Sequence, residues 1–379
     1  MHMPTMEQIF QETPSAADLG FVSARAFQFD EARIEQAFRL LANTDGMPRH
    51  RHRYMMEEAI TTTDFPYLFG AIIDRELLAR YRTWTADFWP FTRRLRASNF
   101  NTHSLHRLDG LSDPLPLVAE KGEYLVGVLG DKRYTYSVKK RGRQIDISWE
   151  SLINDGMGAF SDISNRMADS AINTDQFQVT SLYSSATGPN VLLYGPPIDG
   201  ITNVGALALT INNLQTTIEA MAEQPNPVTG LAMGVRAKYL VVPPALEFTA
   251  RTILTSGLVQ WTEVGAGAGI PVPTSNVIPQ AGLQLVVNPW LPQVDTSGNV
   301  NTTWYLFADG MQGNAIGYGY LSGHETPEIC MKSSDKVSVT GAPMSPFSGD
   351  FATDNVFYRV RAVVGGTQLD PRFTYSQVG

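Results

Sequence analysis

Two hydrophobic periods set back to back constrain this chain more than any other feature. From about Leu117 to Ser148 apolar residues alternate with a period of two. From Met157 to Ser185 they recur at helical spacing, with Phe160, Ile163, Met167 and Ala171 on one face. At 3.6 residues per turn the second stretch is about seven turns long. Tyr124-Leu-Val-Gly-Val-Leu129 runs into Gly130-Asp131-Lys132, after which Tyr134, Tyr136 and Val138 alternate with polar residues. This pattern predicts a β-hairpin around a short Gly-Asp turn. Lys139-Lys-Arg-Gly-Arg143 interrupts the hairpin, and Gln144 to Ser148 resumes as a strand. A short helix over 149–153 and an Asn154-Asp-Gly156 break then lead into the long helix.

The flanking sequence supplies the remaining elements. The first twenty or so residues are polar and without period, which predicts an extended arm. Asp30 to Leu41 reads as an amphipathic helix, and Asp64 caps a second one whose Pro66, Leu68, Ile72, Leu77 and Tyr81 run on to Trp84. After the long helix come a helix over 212–222, a buried strand over 238–242 and a helix over 244–254. Two more strands follow over 283–287 and 303–307, and a final strand covers 355–364 with Val356, Tyr358, Val360 and Ala362 on its buried face. The class is α+β. A length of 379 residues predicts two domains or one subdivided one, and 32 glycines with 23 prolines predict many turns.

Charge is unevenly placed along the chain. Residues 1–148 hold 20 Lys+Arg against 19 Asp+Glu and the remainder 9 against 18, so +1 and −9 give the overall −8. A net negative chain is no dedicated nucleic-acid binder, while this asymmetry suits head-to-tail contact between copies. No apolar run is long enough to span a bilayer, and Met1-His-Met-Pro-Thr5 lacks the cationic lead of a signal peptide. A single cysteine, Cys330, excludes an internal disulfide and reads as a small buried residue.

Catalytic and cofactor patterns are not met. Gly319-Tyr-Leu-Ser-Gly323 has its serine one place late for a nucleophile elbow. His324-Glu325 lacks the second histidine of a zinc-protease helix, and Gly265-Ala-Gly-Ala-Gly269 is followed by Pro271 and Pro273 where a nucleotide-binding helix would start. His50, His52, His103 and His106 lie among arginines, which repel a metal ion. No enzyme, cofactor or metal is expected. Arg49, Arg51 and Arg53 form the most basic patch, suited to weak contact with DNA or with a neighbouring copy.

Three stretches carry a family likeness: Thr62-Thr-Asp-Phe-Pro-Tyr-Leu-Phe-Gly70; Gly122-Glu-Tyr124 through Arg141-Gly-Arg-Gln-Ile-Asp-Ile-Ser148; and Leu152-Ile-Asn-Asp-Gly-Met-Gly-Ala-Phe-Ser-Asp-Ile163. Lys238-Tyr-Leu-Val-Val-Pro243 and Trp304-Tyr-Leu-Phe-Ala-Asp309 add to it. In these the chain resembles the major capsid proteins of tailed phages, and within them the Mu-like major head subunits. The resemblance implies the fold shared with the herpesvirus capsid floor, divided as follows. Residues 1–62 form an arm, 63–116 the start of a peripheral domain, 117–148 an extended loop and 149–237 the peripheral domain with its spine helix. Residues 238–343 form an axial domain, and 344–379 return to the peripheral domain.

By the same resemblance the chain is a shell subunit of the virion, assembled in the bacterial cytoplasm into pentamers and hexamers. Scaffolding and portal proteins and packaged double-stranded DNA are its implied partners. Contact with the next subunit is expected from Lys132, Arg133, Tyr134, Tyr136, Lys139, Lys140, Arg141 and Arg143. A tail-tube or decoration protein is the competing structural reading, and an unrecognised hydrolase the competing enzymatic one.

Overall fold

A computed structural model describes residues 48, 65–110, 114–115, 117–124, 126–127, 129–148, 158–195, 198, 200–261, 272–339 and 349–379. The arm, the helix expected over 30–41, Arg49, Arg51, Arg53 and the short helix expected over 149–153 lie outside the described residues. The helices are α1 (Phe65–Thr83), α2 (Gly158–Tyr183), α3 (Ile211–Ala222), α4 (Glu247–Thr255) and α5 (Leu291–Val294). The first eight strands are β1 (Thr92–Ala97), β2 (His103–Gly110), β3 (Leu129–Tyr136), β4 (Lys139–Ser148), β5 (Ser184–Ser185), β6 (Gly188–Pro189), β7 (Val204–Gly205) and β8 (Ala237–Val242). The rest are β9 (Leu258–Trp261), β10 (Val272–Ser275), β11 (Gln284–Val287), β12 (Trp304–Ala308), β13 (Ile316–Leu321), β14 (Glu328–Met331), β15 (Asn355–Gln368) and β16 (Thr374–Gln377). The chain is α+β and divides into two compact units.

The first unit takes its residues from Met1–Thr85, Lys139–Asp175 and Leu321–Val364. Its described strands form a sheet in which β15 lies between β4 and β14, antiparallel to both. Alternation along β15 buries Val356, Tyr358 and Val360, as the sequence predicts. Leu77 of α1 and Met167, Ala168 and Ala171 of α2 are buried with them. Helical spacing also brings Asp175 inward, where it accepts a hydrogen bond from Tyr81 Oη at 2.5 Å. Arg80 grips Asp169 with two bonds of 2.7 and 3.0 Å. Cys330 is exposed, against expectation. The pleat of β14 turns Cys330 and Glu328 to the face opposite Ile329 and Met331, where Cys330 stands beside Arg359.

Two carboxyls of this unit titrate in opposite senses. Burial opposes ionisation of Glu328, but hydrogen bonds from His324 and Arg361 outweigh it and hold the group below its ordinary value. Burial raises the Asp74 carboxyl, Glu328 adds to the effect, and the Ile329 N–H and Arg75 only partly offset it. A raised native value means that the group's stabilising contribution is present in acid and lost as pH rises through that value. Asp74→Asn is therefore expected to raise the thermal midpoint at neutral pH, with the gain vanishing below the ordinary aspartate range. Melting curves at pH 7 and pH 3.5 check this; an equal shift at both would contradict it.

The second unit takes Ala86–Val138, Gln176–Tyr320 and Gly365–Gly379. Its main sheet has the order β11–β8–β12–β16–β7, with β11 parallel to β8, β12 antiparallel to β8 and β16, and β7 parallel to β16. Every residue of β12 (Trp-Tyr-Leu-Phe-Ala) and most of β8 are buried, because both faces of these central strands are covered. Phe91 stacks on Phe307 at 4.5 Å between ring centres, and Tyr183 meets Tyr305 and Phe307 edge-on at 5.1 and 5.4 Å. Asn288 donates to Thr180 Oγ1 and Tyr183 Oη, and Trp290 Nε1 donates to Gln176 Oε1, fixing the last turns of α2. Strand β13 lies beside β1 so closely that a Cβ on Gly319 would overlap the Leu95 carbonyl, so glycine is a packing requirement there.

The expected hairpin forms elsewhere. Leu129–Tyr136 is one uninterrupted strand whose partner is His103–Gly110, so Gly130-Asp131 lies within a ladder and not at a turn. Residues Lys139–Arg143 do not interrupt a hairpin. They open β4 and pair with Val360–Val364 of β15.

Candidate inter-subunit surface

Strands β2 and β3 form a two-stranded ribbon in register from His103↔Tyr136 to Gly110↔Leu129. A pair of strands with no further partner is only marginally stable in water, so its faces and ends decide what it does. Alternation gives it two unlike faces. Leu105, Arg107, Lys132 and Tyr134 are half-buried and Tyr136 is buried, whereas Ser104, His106, Leu108, Asp131, Arg133 and Thr135 are exposed on the other face. On the exposed face His106 Nδ1 lies 3.3 Å from Asp131 Oδ2, a solvated pair of small energetic weight.

The root of the ribbon is anchored within its own chain. Tyr136, 8 % exposed, donates its hydroxyl to the Arg96 carbonyl at 2.6 Å, and Val138 is buried beside it. Arg107 forms an ion pair with Asp370. Lys132 Nζ sits 5.6 Å from the Tyr134 ring centre. Beyond the root the character reverses: Leu115 is 96 %, Leu117 100 %, Tyr124 84 % and Val126 95 % exposed, with Leu108 and Leu129 more than half exposed. A turn closes where the Gly122 N–H donates to the Ala119 carbonyl at 2.8 Å, with Lys121 at φ +65°, a conformation that costs a side-chain-bearing residue about 1 kcal/mol. Leu115, Leu117, Tyr124 and Val126 stand in water on the segment that joins the two strands of the ribbon.

The residues expected at the surface thus divide between the two units. Lys132, Arg133, Tyr134 and Tyr136 are on the ribbon, and of these Arg133 points to solvent while Tyr136 serves as an anchor. Lys139, Lys140, Arg141 and Arg143 are exposed on β4, whose ladder partner among the described residues is β15, so the strand presents a cationic edge. The sequence reading missed Leu108, Leu115, Leu117 and Val126. The signal was there in Leu115-Pro-Leu117, an apolar pair around a proline at the start of the alternating stretch. Also missed was the bond from the ribbon to Asp370, 263 residues further along the chain.

Among the described residues no group of three or more histidine, cysteine, aspartate or glutamate side chains is placed to hold a metal ion, and no helix is long and apolar enough to cross a membrane.

A family model described as phage capsid protein matches residues 133–376, well over half of the chain. No curated protein matches. Solved structures similar to the chain include one from Microbacterium phage Oxtober96, at 10 % identity and TM-score 0.46, covering 78 % of this chain and 91 % of that one. Another is the capsid structure of the cyanophage P-SCSP1u, at 14 % identity and TM-score 0.46, covering 78 % and 88 %. A third is the capsid of a native GTA particle computed with C5 symmetry, at 13 % identity and TM-score 0.46, covering 76 % and 88 %. The family match, which takes in β4, α2 and the strands from β5 through nearly all of β16, is what decides: this chain belongs to the phage capsid protein family and is a structural subunit, not an enzyme.

Proposed function

We propose that the chain is the major head subunit of a tailed phage, assembling into hexamers and pentamers that close an icosahedral shell around double-stranded DNA. The observation that carries this reading is the ribbon. Leu115, Leu117, Tyr124 and Val126 stand almost fully in water on an element too slight to be stable alone, and a neighbouring copy of the chain supplies the missing cover. Strands β2 and β3 with the segment between them are then the extended loop, α2 the spine of the peripheral domain, and the β8–β12 region the axial domain. Scaffolding and portal proteins would act during assembly in the host cytoplasm, and contact with DNA would be weak and salt-dependent. Within the capsid family, the Mu-like branch is proposed on the sequence likeness alone.

The cationic edge of β4 is the second element of the reading. Lys139, Lys140 and Arg141 face solvent in a half of the chain near neutrality, while the rest carries a net −9. Electrostatic pairing of copies sets register and encounter rate more than final affinity. Replacing all three by glutamate is expected to leave a soluble, folded subunit that does not form shells at physiological salt. Negative-stain microscopy checks it, and particles of normal yield and size would contradict it. Purified wild-type chain under assembly conditions tests the whole reading: closed shells or capsomers support it, tubes would indicate a tail protein, and small oligomers alone would refute it.

A further inference from the structure

One buried carboxylate bonds the ribbon to the turn at Pro371–Phe373. Asp370 is 4 % exposed and caps the turn at Pro371–Phe373. Its Oδ1 accepts from the Arg372 backbone N–H at 3.2 Å and from Arg372 Nε at 2.9 Å, and Arg372 is itself 2 % exposed. Its Oδ2 accepts from Nη1 of Arg107, on the half-buried face of the ribbon. One carboxylate therefore joins two guanidinium groups of different standing: Arg372 is fixed in the body of the second unit, and Arg107 travels with the ribbon.

Position along the strand gives this bond its leverage. Tyr136 and Val138 hold the ribbon at its root, where a swinging element moves least. Arg107 is four residues into β2 from His103, which is opposite Tyr136, and so roughly 13 Å along the strand at 3.3 Å per residue. A charge-assisted bond at that distance limits tilt in a way that no contact at the root does. Asp370 is also held ready, because Arg372 and the backbone fix its carboxylate whether or not Arg107 is present. We infer that Asp370 is a positioning residue, the fixed stop onto which Arg107 indexes the ribbon, so that its apolar tip is presented in one direction. This rests on the proposed role of the ribbon between subunits.

The test uses the full-length chain with Arg107→Leu and the conservative Arg107→Lys. Hydrogen exchange over 103–110 and 129–136 is followed in the unassembled protein, and shells are counted and sized by electron microscopy. In Arg107→Leu, ribbon amides are expected to exchange about tenfold faster, with the rest of the second unit and the thermal midpoint unchanged. Shell yield falls about tenfold or diameters become mixed, as the loss of one coupling of this size predicts; Arg107→Lys restores both in part. Wild-type exchange in the Arg107→Leu ribbon, or uniform shells at normal yield, would overturn the inference, as would a large drop in thermal midpoint, which would make Arg107 a stability residue. Failure of the wild-type chain to form shells would remove the assembly reading, and the exchange measurement would still decide whether Arg107 holds the ribbon.

Discussion

Asp370→Ala is expected to destabilise the second unit by about 3–5 kcal/mol, the usual consequence of stripping one member from a buried ion pair. The cause is what is left behind. Arg372 is 2 % exposed and would keep its charge without the carboxylate that now accepts from its Nε. The cap of the Pro371–Phe373 turn would be lost as well, at about 1 kcal/mol. Asp370→Asn keeps an acceptor for the Arg372 backbone N–H but not the charge, so a smaller loss is expected from it. The double change Asp370→Ala with Arg372→Met should recover most of the stability, because an apolar replacement of a buried pair is often neutral. Denaturant midpoints at unchanged slope measure all three. A single Asp370→Ala change costing less than about 1 kcal/mol would contradict the account of this cluster.

The second large effect is on assembly and not on folding. Leu115→Ser, Leu117→Ser and Val126→Ser combined are expected to leave the isolated chain's stability within about 0.5 kcal/mol of wild type, since these side chains already stand in water. Burying them against a neighbour is worth at least about 1.5 kcal/mol each, or about 4.5 kcal/mol per contact. That is roughly three decades in an association constant, repeated at every subunit of a shell. Shell formation should be abolished at all salt concentrations. The charge-reversed β4 variant differs here, because high salt screens its repulsion and should partly rescue it. Normal shells from the serine variant would show that the tip is not a contact surface.

The long helices and central strands were legible in the sequence for a physical reason. Elements whose partners are buried show their period: Leu77, Met167 and Ala171 on the helices, Tyr239 to Val242 on β8, Tyr305 to Phe307 on β12, Val356 to Val360 on β15. The ribbon was harder to read. Its first strand, His-Ser-Leu-His-Arg-Leu-Asp-Gly, carries few apolar residues because one of its faces lies in water. Among the described residues Tyr124 and Val126 lie outside any strand and are exposed, so the period read there marks apolar residues in water and not a core face. The cations of β4 read as a break because the first half of this edge strand is exposed and need not be apolar. Cys330 was misjudged from residue type alone, since a four-residue strand gives too little pattern to show which face a side chain takes. Asp370 and Arg107 could not be joined from the sequence, because nothing local marks a bond spanning 263 residues.

The most direct test of the central claim is electron cryomicroscopy of particles assembled from the purified full-length chain. The account predicts closed shells of hexamers and pentamers in which each ribbon crosses onto an adjoining subunit, with Leu115, Leu117 and Val126 buried at the crossing. Tubes, small oligomers, or shells whose ribbon tips remain in solvent would contradict it.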